Sequence, residues 1–267
     1  MPDFLDALAQ DAKETVGTGY YEHLTSTRAA FTTSLKDAIT QTKAVAVITE
    51  VKAASPSVGT IRKHVSPKEI ATAMAKGGAA GISVLTEPKH FNGSLSYLAQ
   101  VRESVKLPIL MKDFIVSPKQ LDAAQHIGAN AILLIQALFD RGYCEYSLDE
   151  MVEQAHSRSL EVLLETHNED EFQRAIRSNA DLIGINNRDL GTLKVDLNVT
   201  KGILEKNAAN RKVVVSESGI NSAADIRFLH GCGAKAFLVG SAIMLADDVE
   251  AKVKELVNVN LNEEKRT

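Results

Sequence analysis

Four side chains able to move protons stand at the ends of short apolar runs. Glu50 and Lys52 close AVAVITEVK, Lys112 follows LPILM, and Glu165 follows LEVLL. Successive side chains of a strand alternate faces, so Glu50 and Lys52 project into one space, where opposite charges hold each other ionised or exchange a proton with a substrate. The competing reading is an ion pair that meets only water. An apolar enclosure would lower the pKa of Lys112 and suit it to proton transfer or Schiff-base chemistry. Glu165 is placed to act as a general base or to stabilise positive charge; its structural alternative is an ion-pair partner for a lysine.

Further along, Asn186 and Arg188 end the run LIGIN and point the same way, offering an amide and a guanidinium to a carboxylate or hydroxyls. A structural pair between Arg188 and Asp189 competes with that role. Gly219 in VSESGI and Gly240-Ser241 in LVGSAIM let backbone N–H groups approach an anion, helped by a short helix starting near Ser241. Ser55-Pro56-Ser57 turns the chain after the first run and adds two hydroxyls, which ordinary turn residues would also do. His167 follows Glu165 closely enough to line the same rim, although a solvated or helix-capping residue is the favoured reading. The histidines, His23, His64, His90, His156 and His230 among them, show no metal-site spacing, and the separated Cys144 and Cys232 read as structural.

The elements that carry these residues alternate. Eight short aliphatic runs begin near Ala44, Gly81, Pro108, Ala131, Glu161, Leu182, Val213 and Ala236, with helix-like stretches such as 67–76, 118–126, 148–158, 169–178, 223–230 and 249–256 between them. Eight strands, each followed by a helix, describe an α/β chain folded as a (β/α)8 TIM barrel, whose active sites gather at the strand C-terminal ends. Gly77-Gly78, Gly128-Ala129-Asn130 and Gly231-Cys232-Gly233 suit the ends of helices. One domain is expected over 1–267, with an N-terminal helical extension at 1–43, the barrel at 44–258 and a tail at 259–267. Leu5, Leu8, Ala9 and Ala12 fall at helical spacing in the extension, which would close the barrel's bottom or flank its active rim.

The 267 residues are 45% hydrophobic and carry a net charge of −4, with no basic stripe interleaved with aromatics, which argues against nucleic-acid binding. No apolar stretch approaches the roughly 20 residues that span a bilayer, and the acidic start MPDFLDALAQDAKE is unlike a signal peptide, so a cytoplasmic protein with no membrane partner is expected.

In order, ITEVKAASPSVG, SVLTEPKHFNGS, LPILMKDFIV, EVLLETHNEDE, GINNRDLGTLKVD, VSESGI and AFLVGSAIM resemble the indole-3-glycerol phosphate synthase family over about residues 44–245. The resemblance implies ring closure, decarboxylation and dehydration of 1-(2-carboxyphenylamino)-1-deoxyribulose 5-phosphate in tryptophan biosynthesis. It implies Lys112 as general acid toward the substrate carbonyl and Glu165 as base in the dehydration, with Lys52 and Glu50 supporting the proton traffic. The division of labour between the two lysines stays open. By the same resemblance Asn186, Arg188, Glu217 and Ser218 contact substrate, while Ser55, Gly219, Gly240 and Ser241 belong to the phosphate side. Phe114, Phe91 and Leu134 would wall the aromatic ring, and Pro56 would shape the first loop.

Ring closure leaves the carboxyl-bearing carbon beside a cationic iminium that accepts the electrons released with carbon dioxide, so no cofactor and no metal is expected. Ala53 and Val58 stand where family members often carry basic residues, and IRKHVSP departs from the usual acidic-aromatic pattern. The rival functions are a phosphosugar isomerase of the same fold, a Schiff-base aldolase and a non-catalytic phosphate-ligand sensor. The expected partner is a small phosphorylated substrate; a monomer is expected, and association with another tryptophan-pathway enzyme stays open.

Overall fold

A computed structural model describes residues 3–22, 33–55, 59–61, 66–207 and 212–261. Two helices, α1 (Phe4–Gly17) and α2 (Leu35–Gln41), precede β1 (Ala46–Val51). Two short antiparallel strands follow, β2 (Ala54–Ser55) and β3 (Gly59–Thr60). The alternation then runs α3 (Pro67–Lys76), β4 (Gly81–Leu85), α4 (Leu95–Ser104), β5 (Ile109–Lys112), α5 (Pro118–Ile127) and β6 (Ala131–Ile135). It continues with α6 (Gln136–Asp140), α7 (Leu148–Ser157), β7 (Glu161–Thr166), α8 (Glu169–Ala175), β8 (Leu182–Asn186) and α9 (Asn198–Lys206). The chain ends through β9 (Val213–Glu217), α10 (Ala223–Cys232), β10 (Ala236–Val239), α11 (Ser241–Met244) and α12 (Val249–Val257).

The eight long strands pair in parallel and β1 joins both β4 and β10, closing a TIM barrel. Helix starts follow the local chemistry. Ser66, Ser117, Ser147, Asn168, Ser222 and Asp248 each turn a side-chain oxygen to an orphan N–H of the first turn, and Gly128 and Gly233 end α5 and α10 in the left-handed conformation.

The extension reaches both ends of the barrel. Leu5, Leu8, Ala9 and Ala12 of α1 are buried. Across the C-terminal rim, Arg141 binds Asp3 and Asp6 at 2.8 and 2.7 Å, and Lys89 and His90 each bind Asp11 at 2.7 Å. Tyr21, just beyond α1, donates to Asp113 at 3.0 Å. At the opposite end, Glu161 accepts the Leu35 and Lys36 N–H groups at 2.7 and 3.1 Å and the Ser34 hydroxyl, capping α2 from the first residue of β7. The segment thus flanks the active rim with one helix and covers the bottom with the other. Among the described residues no helix is long and apolar enough to cross a membrane.

Candidate active site

On β1, β5, β7 and β9 an apolar inward position is followed by an ionisable one at the rim, while β4, β6 and β10 end on apolar residues. Ile48, Leu110, Leu163 and Val215 are fully buried, and two residues further along the same faces stand Glu50, Lys112, Glu165 and Glu217. The change from apolar to ionisable side chains marks the floor of a cavity of about 580 Å³ at the C-terminal rim. Glu50, Lys52, Lys112, Glu165, Asn186, Arg188, Glu217 and Ser218 all line it, as do Gly219, Gly240, Ser241, Phe91 and Phe114.

Two ion-pair sets face each other. Lys52 Nζ lies 2.8 Å from Glu50 Oε1, while Lys112 Nζ lies 2.7 Å from Glu217 Oε2 and 3.3 Å from Glu165 Oε2. The lowered pKa expected of Lys112 is therefore wrong in sign. Burial does oppose its charge, but Glu217, Glu165 and Glu50 outweigh burial and hold the ammonium above the ordinary lysine range. Lys112 is thus held as an ammonium rather than a neutral amine. Burial likewise opposes ionisation of Glu165, yet Lys112, His167 and Asn186 hold it well below the usual carboxylate range. Glu217 behaves oppositely: burial, against Lys112 and with Glu165 and Glu50 close by, pushes it up to about 7.

Asn186 donates to Glu165 Oε1 at 3.1 Å and accepts the Arg188 N–H at 3.0 Å. Arg188 bonds the Leu193 carbonyl at 3.0 Å rather than Asp189, which caps its own turn through Gly191 and Thr192; the alternative Arg188–Asp189 pair does not form. Asn187, on the opposite face, ties the loop to Ser216, Glu217 and Thr200. Ser218 and Gly219 both have positive φ, +68° and +81°, and a Cβ at Gly219 would overlap Val195. A Cβ at Gly240 would overlap the Glu50 carboxylate and come within 3.1 Å of Lys52 Nζ. This glycine makes room for the Glu50–Lys52 pair, beyond any part it plays in a turn.

Phe91 and Phe114 tilt together with ring centroids 6.0 Å apart. Leu134 does not join them, contrary to expectation. It is fully buried on the outer face of β6, while its neighbours Leu133 and Ile135 face the cavity. The side chain of Ser55 lies outside the described residues, as do Pro56, Ser57, Val58, His23, His64, most of IRKHVSP and the tail 262–267.

His167 is also corrected: it is mostly buried between Glu165 and Glu171 rather than solvated. Burial alone would lower its pKa, and the two carboxylates instead raise it to about 9. The two-residue spacing from Glu165 was the available signal. Phe4 and Leu8 of α1 line the cavity as well, which their helical spacing alone did not mark. Among the described residues no group of three or more His, Cys, Asp or Glu side chains is arranged to hold a metal ion.

Comparison with known proteins places this geometry. The family model described as indole-3-glycerol phosphate synthase matches residues 6–256. An indole-3-glycerol phosphate synthase of Caldanaerobacter subterraneus subsp. tengcongensis is 39% identical over 240 residues, 89% of each chain. Those of Neisseria meningitidis serogroup B and Dehalococcoides mccartyi are 44% and 45% identical, covering 79% and 80% of this chain and 79% and 82% of theirs. Among solved structures, a thiamine phosphate pyrophosphorylase from Pyrococcus furiosus superposes with a TM-score of 0.58 at 17% identity over 84% of this chain and 96% of its own, a likeness of fold alone.

Proposed function

The chain belongs to the indole-3-glycerol phosphate synthase family, carboxy-lyases of tryptophan biosynthesis that act on a phosphorylated substrate, and from that premise we propose how its residues divide the work. Lys112, held as an ammonium, gives its proton to the substrate carbonyl as the aromatic carbon attacks. Decarboxylation then feeds the iminium formed by ring closure, so the reaction calls for no cofactor. Glu165 withdraws the proton in the dehydration, and Lys52, paired with Glu50, protonates the departing hydroxide. Over the cycle the departing oxygen receives two protons, one is withdrawn from carbon, and one enters from solvent to replace the charge lost with carbon dioxide.

Asn186, Arg188, Glu217 and Ser218 would bind the sugar chain and the carboxylate. The phosphate would lie against Gly219, Gly240 and Ser241, with Ser55 on the same side and Lys52 close to Gly240. Phe91 and Phe114 would wall the aromatic ring. The protein would work in the cytoplasm as a monomer, its extension (1–43), barrel (44–258) and tail (259–267) forming one domain, and association with another enzyme of the pathway is open.

The observation that carries this reading is the pair of carboxylate–ammonium sets facing one cavity. A phosphosugar isomerase needs one acid–base pair and would leave the second set without work. The test is to incubate the protein with 1-(2-carboxyphenylamino)-1-deoxyribulose 5-phosphate and follow indole fluorescence. Turnover should fall by about 100-fold or more in Lys112→Ala, with the thermal melt retained. Near-normal turnover in that variant would remove Lys112 from the acid role.

A further inference from the structure

We propose that His167 is a positioning residue for the base: it anchors Glu165 Oε1, so that Oε2 is the oxygen that takes the proton. The inference rests on the reading of Glu165 as base. Oε1 accepts from Asn186 Nδ2 at 3.1 Å and lies 3.1 Å from His167 Nε2, whereas Oε2 faces Lys112 Nζ at 3.3 Å. His167 Nε2 is buried and makes no aligned hydrogen bond within the protein, so its contact with Oε1 is an ion-pair approach rather than a saturated bond.

The ring is held from its other side. Glu171 Oε2 lies 3.2 Å from His167 Nδ1 and accepts the His167 backbone N–H at 2.8 Å, while Asn168 Nδ2 fixes the second Glu171 oxygen at 2.6 Å. The charged groups around the imidazole are Glu165 from β7, Glu171 from α8 and Asp189 beyond β8, with Lys112 on the far side of Glu165. Burial opposes charge on the ring, and Glu165 and Glu171 outweigh it, raising its pKa to about 9.

The two oxygens then differ in fate. Once Lys112 has given its proton to the substrate, Oε2 loses its cationic neighbour, while Oε1 keeps the amide and the imidazolium. Basicity therefore appears at Oε2, on the side where the lysine has acted. In the dehydration the C–H bond breaks, its electron pair enters the new ring double bond as hydroxide departs, and the proton ends on Oε2.

The test combines a titration with kinetics. The 15N shifts of the His167 ring are followed against pH in the wild type and in Glu171→Gln. The wild type should titrate near 9, and Glu171→Gln should titrate about one unit lower or more. In His167→Gln, which keeps one donor, kcat should fall about tenfold with KM within about twofold, and His167→Leu should fall further. Titration near the ordinary histidine value, or wild-type kcat in His167→Gln, overturns the proposal even if His167→Leu fails to fold. If His167 titrates high but the wild type does not turn over the substrate, the assignment of the reaction is what fails.

Discussion

Three buried carboxylates, Glu50, Glu165 and Glu217, surround two ammonium groups, and within that cluster Lys112, Glu165 and Glu217 set one another's charge state. Among the described residues, Arg188 makes no ion pair with that cluster, spends one donor on the Leu193 carbonyl and has the rest of its fork to offer a ligand. Arg188→Ala should raise KM about tenfold and leave kcat within about threefold; an unchanged KM would remove it from the binding site. Phe114 and Leu134 separate wall from core. Leu134→Ala should cost about 2–5 kcal/mol in a denaturant titration with KM unmoved, whereas Phe114→Ala should raise KM. A KM effect at Leu134 would contradict its placement. The sequence could not make that distinction, because AILLI is apolar on both faces and nothing in it tells inside from outside. The sign of the Lys112 shift was illegible for a related reason: Glu165 and Glu217 come from β7 and β9, far outside any local window.

Strands were the most legible elements, since all eight are compact aliphatic runs, and the polar residues at or next to the ends of β1, β5, β7, β8 and β9 mark the rim. Helices with a serine, asparagine or aspartate cap were readable too. α4 and α9 carry weaker signals: α4 is capped by Ser94, but a buried Arg102, bonded to Asn130, interrupts its apolar stripe, and α9 follows Leu197 with no side-chain cap. The loop after β10 shows how an element serves a neighbour. Gly240→Ala would drive a methyl group into the Glu50–Lys52 pair, so kcat should drop about tenfold or more while the fold persists. Gly231→Ala in α10, where a Cβ meets nothing within 4 Å, is the matched control and should keep full activity with a gain of up to about 1 kcal/mol. Equal activity in the two variants would show that Gly240 is only a turn residue.

Taken as a whole, the molecule binds some protons more tightly folded than unfolded. Asp113 and Glu217, both raised to about 7, favour the folded state fully below the ordinary carboxylate pKa and lose that advantage as pH rises through about 7. His167, raised from 6.5 to about 9, contributes fully below pH 6.5 and loses its contribution as pH rises through 9. Between pH 7 and 9 the histidine makes the largest change of the three, about 2 kcal/mol. The Tm should fall by several degrees across that window in the wild type and stay nearly level in His167→Gln; parallel curves would show that the imidazole is not held charged. The N-terminal extension has another consequence at this scale. Asp3 and Asp6 grip Arg141, and the start of α2 grips Glu161, while β1 must also wait for β10 to close the ring. When residues 3–45 leave the ribosome, these partners have not yet been made. The contacts to Lys89, His90 and Asp113 become possible before those to Arg141 and Glu161, and the apolar faces of α1 and α2 stay incompletely covered in between, a window in which a chaperone would find them exposed.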